Sequence, residues 1–499
     1  MDVIWLKRDA RLRDQGSLEL SLKENRKFIL LYIYEPEQLL HHSVHGSHIL
    51  FVNEGLNNVI NDLSKLCRLS NIIVTRVGEA TAVLQSLFDE CHFIRLLSHL
   101  ECGHNTSFER DKRVKKWCSI NKVEWIEYQQ YGIIRGLKSR EELDTHTDAT
   151  SSQQNQVPII REDLEEDSDS DHNKVNDSKK RVRGSARPST ISNSWSSHWH
   201  QFMYQDEYDS DIRTNPLLRQ RFQSNIVTNL RSDGILSPQD LHQKYNIALT
   251  HPEDRVQRQH GGETAALNML SSFLSDRGIG YNSGISSPVK IWKSCSRLST
   301  YLSWGHISLR TVTRELQKRQ GDIRQRRQEI KTKLATLTKR MPKRPATASL
   351  FTPRLTVISA ESDLSAQVEA LNAQDKVLAT WSRSLASFGS RLRWRSHFMQ
   401  KFEMEVFMEH QNQCRAFDGV RGLSEYNALY LRAYEEGLTG YPLVDACMRA
   451  LLATGRYMSL LVSIKISYIT MRTVYIFYRL DQLPYASYAG LLRRVQPVA

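Results

Sequence analysis

Short apolar segments alternate with amphipathic segments over the first 137 residues of the chain. Five of the apolar segments are rich in β-branched or aromatic residues, as buried parallel strands are. Three segments between them repeat their apolar residues at helical spacing. This alternation predicts a doubly wound, parallel-sheet α/β domain over residues 1–137. The predicted strands are Val3–Leu6, Phe28–Tyr34, Ile72–Val77, Phe93–Leu97 and Val123–Tyr128, and the predicted helices are Ser47–Cys67, Ala80–Phe88 and Thr106–Trp117.

Two regions of different composition divide the rest of the chain. Residues 138–194 contain the acidic run Glu162–Asp171 and the basic cluster Lys179–Arg183, with too few apolar residues to offset the entropy of ordering. They are predicted to be a disordered, charged linker between domains. Residues 318–375 form a second insertion, which is basic and of low complexity. The predicted parts of one helical domain are residues 195–317 and 376–490, and a tail follows at 491–499.

The excess of positive charge has more than one interpretation. The formal net charge of +13 and the pI near 9.3 fit a polyanionic partner such as DNA, although a merely soluble basic protein would carry the same excess. Lys179–Arg183 fits a nuclear localisation signal, an arm that contacts phosphates, or a solvated linker. Arg319–Arg340 combines helix-forming residues with like charges, which predicts either a solvent-exposed helix or disorder, within reach of DNA.

Cysteine usage and the N-terminus indicate an intracellular protein. The 7 cysteines are scattered and lack Cys-x-x-Cys spacing, which argues against a disulfide framework, a structural zinc site or a cysteine-ligated cluster. Charged Lys7, Arg8 and Asp9 follow Met1 too closely for a signal peptide. No apolar run reaches the roughly 20 residues of a membrane helix. The apolar stretch Leu460–Tyr478 is interrupted by charges and is expected to be a buried helix.

A run of hydroxyl-bearing residues with one cation, Ser294–Leu302, is a candidate for binding an anion. Backbone amides, hydroxyls and a helix N-terminus can hold a pyrophosphate without a metal. In isolation, such a run is more often an ordinary helix start. It lies downstream of Gly261–Leu267 and upstream of Trp394-Arg395 and Thr439–Asp445. In this order and spacing, the four blocks resemble the flavin-binding domain of the DNA photolyase and cryptochrome family.

The N-terminal residues carry the same resemblance. Val3–Asp14 is similar to the opening strand of that family and to its Arg-Asp-x-Arg-Leu turn. The resemblance implies an α/β domain that can bind an antenna chromophore of the folate or deazaflavin type, followed by an all-α FAD-binding domain. No Gly-x-Gly-x-x-Gly motif opens the first predicted helix, which disfavours a nicotinamide dinucleotide site. Further matching residues are Glu101-Cys102-Gly103, Arg110, Asp111, Trp117, Gly132 and Arg135.

The resemblance implies FAD as the cofactor and assigns its contacts. Tyr281 and Cys295–Ser299 would contact the phosphates and the ribitol, with Cys295 where many relatives carry Thr. The alternative for Tyr281 is a core aromatic. Phe388, Arg391 and Arg395 would border the cavity that holds the flavin. The implied cofactor-binding residues are Tyr281, Cys295, Ser296, Arg297, Leu298, Ser299, Phe388, Arg391 and Arg395.

Trp394 and Arg391 are the implied catalytic residues. In repair enzymes of the family, the position of Trp394 stacks on the flipped pyrimidine dimer, although a core aromatic is the alternative. Where Arg391 stands, repair enzymes usually carry Glu, which hydrogen-bonds the dimer. A cation at this position disfavours ordinary dimer repair.

A departure from the family pattern follows Gly455. Relatives continue with a helix bearing Asn and Arg, a Trp-Arg helix and a loop bearing Asp and Asn. Here Arg456–Ser463 lacks the Asn/Arg pattern, and Tyr478-Arg479 stands at the expected Trp-Arg position. The chain is therefore expected to be truncated at its C-terminus and to lack about half of the flavin contacts.

Three functions stay open at this point. The prediction is an FAD-dependent, light-driven flavoprotein, acting as a deoxyribodipyrimidine photolyase-like lyase in DNA repair or as a blue-light receptor. The first alternative is a truncated or mis-spliced relative without efficient flavin chemistry. The second is a non-enzymatic, cryptochrome-like signalling protein that acts through protein partners.

Overall fold

The computed structural model describes residues 1–136, 190–206, 208, 211–255, 257–285, 287, 289–340, 357–412, 414–418 and 427–454. The predicted linker lies outside these residues as far as position 189, and so does the basic cluster Lys179–Arg183. Its last residues, 190–194, begin a helix instead. The predictions for Arg456–Ser463, Leu460–Tyr478 and Tyr478-Arg479 also fall outside the described residues.

Five parallel strands form the sheet of the first domain, in the order β3-β2-β1-β4-β5. All five predicted strands are present, with ends displaced by no more than two residues, and the doubly wound fold is confirmed. Because the order reverses between β1 and β4, the carboxyl ends of these strands border a crevice, where open α/β sheets bind their ligands. The strands are Asp2–Leu6 (β1), Phe28–Tyr34 (β2), Ile73–Val77 (β3), Arg95–His99 (β4) and Glu124–Tyr128 (β5).

Side chains of β1 alternate between two apolar cores, one on each face of the sheet. Val3 and Trp5 belong to one core, and Ile4 and Leu6 belong to the other. A strand that is buried on both faces needs apolar residues at every position. This explains why β1 and β2 appear in the sequence as continuous apolar runs.

Five helices cover the sheet, and the sequence pattern predicts three of them, α3, α4 and α5. It does not predict α1, because Leu18, Leu20 and Leu22 alternate with polar residues, a spacing typical of a strand. Leu18 and Leu22 are nevertheless buried from a helix. The helices are Gly16–Lys23 (α1), Pro36–Leu39 (α2), Gly46–Cys67 (α3), Ala80–Cys91 (α4) and Asn105–Ile120 (α5).

In the second region, the described residues form helices connected by loops, as predicted. Its core contains aromatic residues from several helices, among them Trp199, Phe273, Tyr301 and Trp381. In the part of the chain that the structure describes, none of the helices has the length and apolarity that crossing a membrane requires. The helices are Thr190–Tyr204 (α6), Pro216–Asn225 (α7), Pro238–Tyr245 (α8), Glu263–Ser275 (α9), Tyr281–Gly284 (α10), Ile291–Ser294 (α11), Ser299–Ser303 (α12), Leu309–Arg340 (α13), Val357–Met404 (α14), Ala428–Glu436 (α15) and Pro442–Thr454 (α16).

Helices α13 and α14 form a long antiparallel pair. Near the core, Arg319 donates to the carbonyl of Leu274 at 3.0 Å and lies over the ring of Trp381. Farther along the pair, Arg327 on α13 forms an ion pair with Asp375 on α14 at 2.8 Å. The predicted insertion, residues 318–375, begins and ends within these helices. For Arg319–Arg340 the sequence leaves open a solvent-exposed helix or disorder, and the structure shows a helix as far as residue 340.

The opening turn of the chain and the block that begins at Gly261 meet at the interface between the two domains. The Glu263 carboxylate accepts the backbone N–H groups of Leu12 at 3.1 Å and Arg13 at 2.9 Å. Gly305 has a φ of +66°, and a Cβ atom there would lie 1.7 Å from the carbonyl oxygen of Arg8. These contacts of Glu263 and Gly305 with the opening turn therefore position the helical region on the α/β domain.

Candidate flavin site and interdomain crevice

Within the run Ser294–Leu302, residues 295–298 form a turn between two short helices, because α11 ends at Ser294 and α12 begins at Ser299. Within the turn, Arg297 has a φ of +60°, a conformation that non-glycine residues seldom adopt. Its guanidinium donates to the carbonyl of Trp292, and its own carbonyl accepts an N–H group of Gln259 at 3.0 Å. The predicted phosphate-binding cation is thus held beside the backbone of its own turn.

Leu298 and Cys295 also belong to the turn, and they have different roles in it. The side chain of Leu298 is buried in the helical core, so that only its backbone can face a ligand. Burial raises the pKa of the Cys295 thiol to about 11, although Arg297 opposes this. Cys295 is therefore a neutral thiol at physiological pH, which can offer a weak hydrogen bond and not a reactive thiolate.

A second cation, Arg277, reaches the same turn. Its guanidinium donates to the carbonyls of Cys295 and Ser296, the latter at 3.3 Å, and to the hydroxyl of Ser272 at 3.0 Å. Burial, together with the charge of Arg297, lowers the pKa of Arg277. An anion placed between two such guanidinium groups would stabilise both, so the donor set fits the pyrophosphate of FAD. No spacing pattern in the sequence singles out Arg277, because the two carbonyls of the turn that it binds lie 18 and 19 residues farther along the chain.

Tyr281 and Phe388 lie together in the core of the helical region. Their ring centroids are 5.6 Å apart, and the ring of Phe273 lies 5.6 Å from Tyr281 and 4.7 Å from Phe388. Both residues are buried. The two aromatic residues assigned to the flavin therefore pack against each other, which is the core role that the sequence left open for Tyr281.

Arg391 and Trp394 form a pair on the exposed side of α14. The guanidinium carbon of Arg391 lies 4.6 Å from the centroid of the indole. Trp394 is 49% exposed. The ring of Phe398 lies edge-to-face with the indole, and the two ring centroids are 6.5 Å apart. Trp394 is thus not a core aromatic within the described residues.

Arg395 points away from this pair and toward the α/β domain. It donates to the carbonyl of Leu302 at 3.2 Å and lies over the ring of Tyr131 at 5.4 Å. The sequence predicts that Arg391 and Arg395 border one cavity, but the structure directs their side chains to different surroundings. Arg395 joins the two domains in the described residues.

A buried network of ion pairs fills the crevice at the carboxyl ends of β1 and β4. Arg110 pairs with Glu35 at 2.6 Å, with Glu101 at 2.7 Å and with Asp111 at 2.8 Å, and Arg8 adds a second cation beside Glu101 at 2.9 Å. Burial raises the pKa of Glu35 to about 7. Burial acts in the same direction on Glu101, but Arg110 and Arg8 outweigh it and hold the pKa of Glu101 well below its usual range.

The space that remains in this crevice is small. A cavity of about 80 Å³ lies among these side chains, bordered also by His48, His104 and Trp304. Pockets that hold ligands of drug size enclose about 300–1,000 Å³. An antenna chromophore of the folate or deazaflavin type therefore does not fit the crevice with its side chains placed in this way.

Comparisons with known families match two separate parts of the chain, one near each end. Residues 2–135 match the DNA photolyase family model, and residues 388–488 match the FAD-binding domain of DNA photolyase. The second match includes Phe388, Arg391 and Trp394 and continues past Gly455, so the resemblance extends farther than the motifs indicate. Tyr281 and Cys295–Ser299 lie outside both matches. No curated protein matches the chain.

Solved structures show the same architecture. A bacterial class III photolyase from Agrobacterium tumefaciens is 18% identical, with a TM-score of 0.56 over 99% of this chain and 78% of that one. A cryptochrome from Synechocystis is 14% identical, with a TM-score of 0.57 over 99% of this chain and 81% of that one. At these identities the likeness concerns the fold.

The chain combines a doubly wound α/β domain with a helical region that matches an FAD-binding domain. This combination defines a two-domain flavoprotein. The match to the DNA photolyase model comes first in the chain and the match to the FAD-binding domain second, which is the order of the two domains. The chain belongs to the DNA photolyase and cryptochrome family, and its cofactor is FAD.

Proposed function

We propose that the chain performs light-driven, one-electron flavin chemistry and uses it in blue-light sensing. When bound, FAD supplies the light-driven electron transfer, in which a photon provides the driving force. Arg277 and Arg297 would hold the pyrophosphate, with the backbone of Cys295–Ser299. The match of residues 388–488 to the FAD-binding domain supports this proposal.

The contact between Arg391 and Trp394 carries the choice of sensing over repair. The guanidinium covers one face of the indole at 4.6 Å, and such a cation–π contact contributes about 0.5–1 kcal/mol at an exposed site. A base that stacked on this face would first have to displace the cation. In addition, Arg391 cannot accept the hydrogen bonds that a carboxylate would accept from a base.

Repair of pyrimidine dimers is the second candidate, and the exposure of Trp394 favours it. A half-exposed indole can stack on an extruded base, and such stacking contributes roughly 1–3 kcal/mol per base. The family acts on DNA through bases that leave the duplex. The net charge of +13 supports DNA as a partner under either candidate.

The test uses the full chain, purified in the dark and then illuminated with blue light. With a thiol added as the electron donor, we expect the absorption spectrum to show bound flavin that becomes reduced under light, while an oligonucleotide carrying a pyrimidine dimer stays unrepaired in chromatography. Arg391→Glu should increase the preference for dimer-containing DNA, whereas Arg393→Glu, a neighbour on the same helix, should not.

Bound flavin that does not respond to light would overturn the proposal. Dimer repair by the unaltered chain would establish the second candidate. A chain that folds but binds no flavin would favour the non-enzymatic signalling protein that acts through protein partners.

A further inference from the structure

The outer part of the α13–α14 pair has opposite charges on its two helices. We call residues 318–340 of α13 and 363–376 of α14 the arm. The α13 side contains nine Lys and Arg residues against two Asp and Glu, and the α14 side contains three acidic residues and one Lys. Seven of the nine cations on α13 are exposed. The arm therefore presents a positively charged surface along one helix.

Part of this charge is paired within the arm, and part of it forms no ion pair with the described residues. Arg327 pairs with Asp375 and Arg326 pairs with Glu329. Among the described residues, Lys333 and Lys339 form no ion pair. Lys331 forms none either, although its charge, after the hydrogen bond from Arg327, helps to lower the pKa of Asp375. Like charges along one helix destabilise it, and the exposed Lys side chains would gain from a polyanion.

Packing against α14 holds the charged helix in place. Ile323 and Ile330 of α13 are each 2% exposed. Toward the end of the arm, residues 332–337 of α13 face residues 367–371 of α14 across a groove. The cations therefore lie on a helix that is packed against a second helix and not on an isolated one. This packing reduces the conformational entropy that is lost when a partner binds.

The dimensions of the arm suit duplex DNA better than a short acidic segment of a protein. At 1.5 Å per residue, residues 318–340 extend about 33 Å, close to one turn of B-DNA. The major groove, about 12 Å wide, admits a single helix, whereas the arm is two helices wide. The paired arm can therefore follow the phosphate backbone but cannot enter the groove to read bases.

We propose that the arm binds the phosphate backbone of duplex DNA without sequence preference. This surface is separate from the Arg391–Trp394 pair, because Leu371 in the arm and Trp394 are about 35 Å apart along the same helix. The class of partner rests on the proposed function only as far as DNA is the partner that the net charge supports under either candidate, and the flavin chemistry plays no part in it. An acidic protein is the competing partner.

The test measures binding of the full chain to an undamaged duplex, in the dark, over a range of salt concentrations. In the arm variant, Lys331→Gln, Lys333→Gln and Lys339→Gln are combined. In the matched control, Lys115→Gln, Lys116→Gln and Lys122→Gln remove three exposed charges from the α/β domain. We expect the arm variant to bind roughly tenfold more weakly, with a salt slope reduced by about 2–3, because each phosphate contact contributes about 0.9 to that slope. The control should bind as the unaltered chain does.

Replacement of the same three lysines by Arg should restore binding, which separates loss of charge from misfolding. An arm variant with unchanged affinity would overturn the proposal and favour the acidic protein. Equal weakening of both Gln variants would also overturn it, because net charge would then be sufficient. Flavin reduction by light, measured on the same preparations, reports separately on the proposed function. Its failure in every preparation, with DNA binding lost only in the arm variant, would leave the arm proposal standing.

Discussion

Arg310 of the helical region pairs with Asp14 of the α/β domain, and both side chains are buried where the domains meet. Nε of Arg310 lies 3.2 Å from Oδ2 of Asp14, and the same guanidinium packs over the rings of Phe202 and Tyr208. Burial raises the pKa of Asp14, but Arg310 and Arg11 outweigh it and keep that pKa below its ordinary value. The carboxylate therefore stays charged inside the interface.

Arg310→Met should destabilise the chain by roughly 3–5 kcal/mol, because it leaves a buried carboxylate without its main partner. Urea unfolding at neutral pH measures this loss. The folded pKa of Asp14 is lowered, so its contribution is present above an unfolded pKa of about 3.9 and disappears as the pH falls. The difference between the two proteins should therefore shrink in acid. Arg314→Met is the control, since Arg314 pairs with the exposed Asp206 and should have little effect.

Glu35 should make stability depend on pH in the opposite direction. Its folded pKa is raised from 4.5 to about 7, so the folded state keeps a proton that the unfolded state loses within this window. The contribution of Glu35 to stability therefore falls as the pH rises from 5 to 8. Relative to the unaltered chain, Glu35→Gln should gain roughly 1–3 kcal/mol over that interval. A constant difference in thermal unfolding between pH 5 and pH 8 would contradict the assignment, and the exposed Glu37→Gln is the control.

Gly305→Ala should weaken the interface between the domains. The added Cβ would meet the carbonyl oxygen of Arg8 at 1.7 Å, and the φ of +66° disfavours any side chain. We expect a loss of roughly 2 kcal/mol or more in urea unfolding. Gly321→Ala is the matched control, because no atom lies within 4 Å of its added Cβ and Ala favours a helix by about 1 kcal/mol. A similar loss in both variants would contradict the role assigned to Gly305.

Flavin retention should separate the cations of the turn from Trp394. Arg277→Ala and Arg297→Ala each remove a charged donor worth roughly 1.5–3 kcal/mol, so each should weaken FAD binding by about 10–150-fold. Trp394→Ala should spare flavin, because the exposed indole is not part of the turn. The ratio of flavin to protein absorbance after dialysis measures both effects. Equal loss of flavin in all three variants would show that Trp394 supports the cofactor site.

Most of the fold follows from local patterns. Strands β1 and β2 are buried on both faces and have to be apolar throughout, which makes them visible in the sequence. Helix α1 is not visible, because its three leucines alternate as in a strand and only the packing of Leu18 and Leu22 decides its state.

The candidate site depends more on contacts between distant residues. Arg277 acts through the carbonyls of Cys295 and Ser296, which no motif encodes. Arg391 and Arg395 are four residues apart, so sequence spacing places them on one face of α14. Their side chains diverge because Arg395 finds an acceptor at Leu302 in another helix.

Helix α14 connects the arm with Trp394 without a break. Its 48 residues extend over about 72 Å, with the acidic side of the arm near one end and the Arg391–Trp394 pair near the other. Between these two ends, Trp381 and Leu385 of the same helix are buried in the helical core. The core therefore fixes the helix at its middle, and a molecule bound to the arm meets an element that is already anchored in the protein.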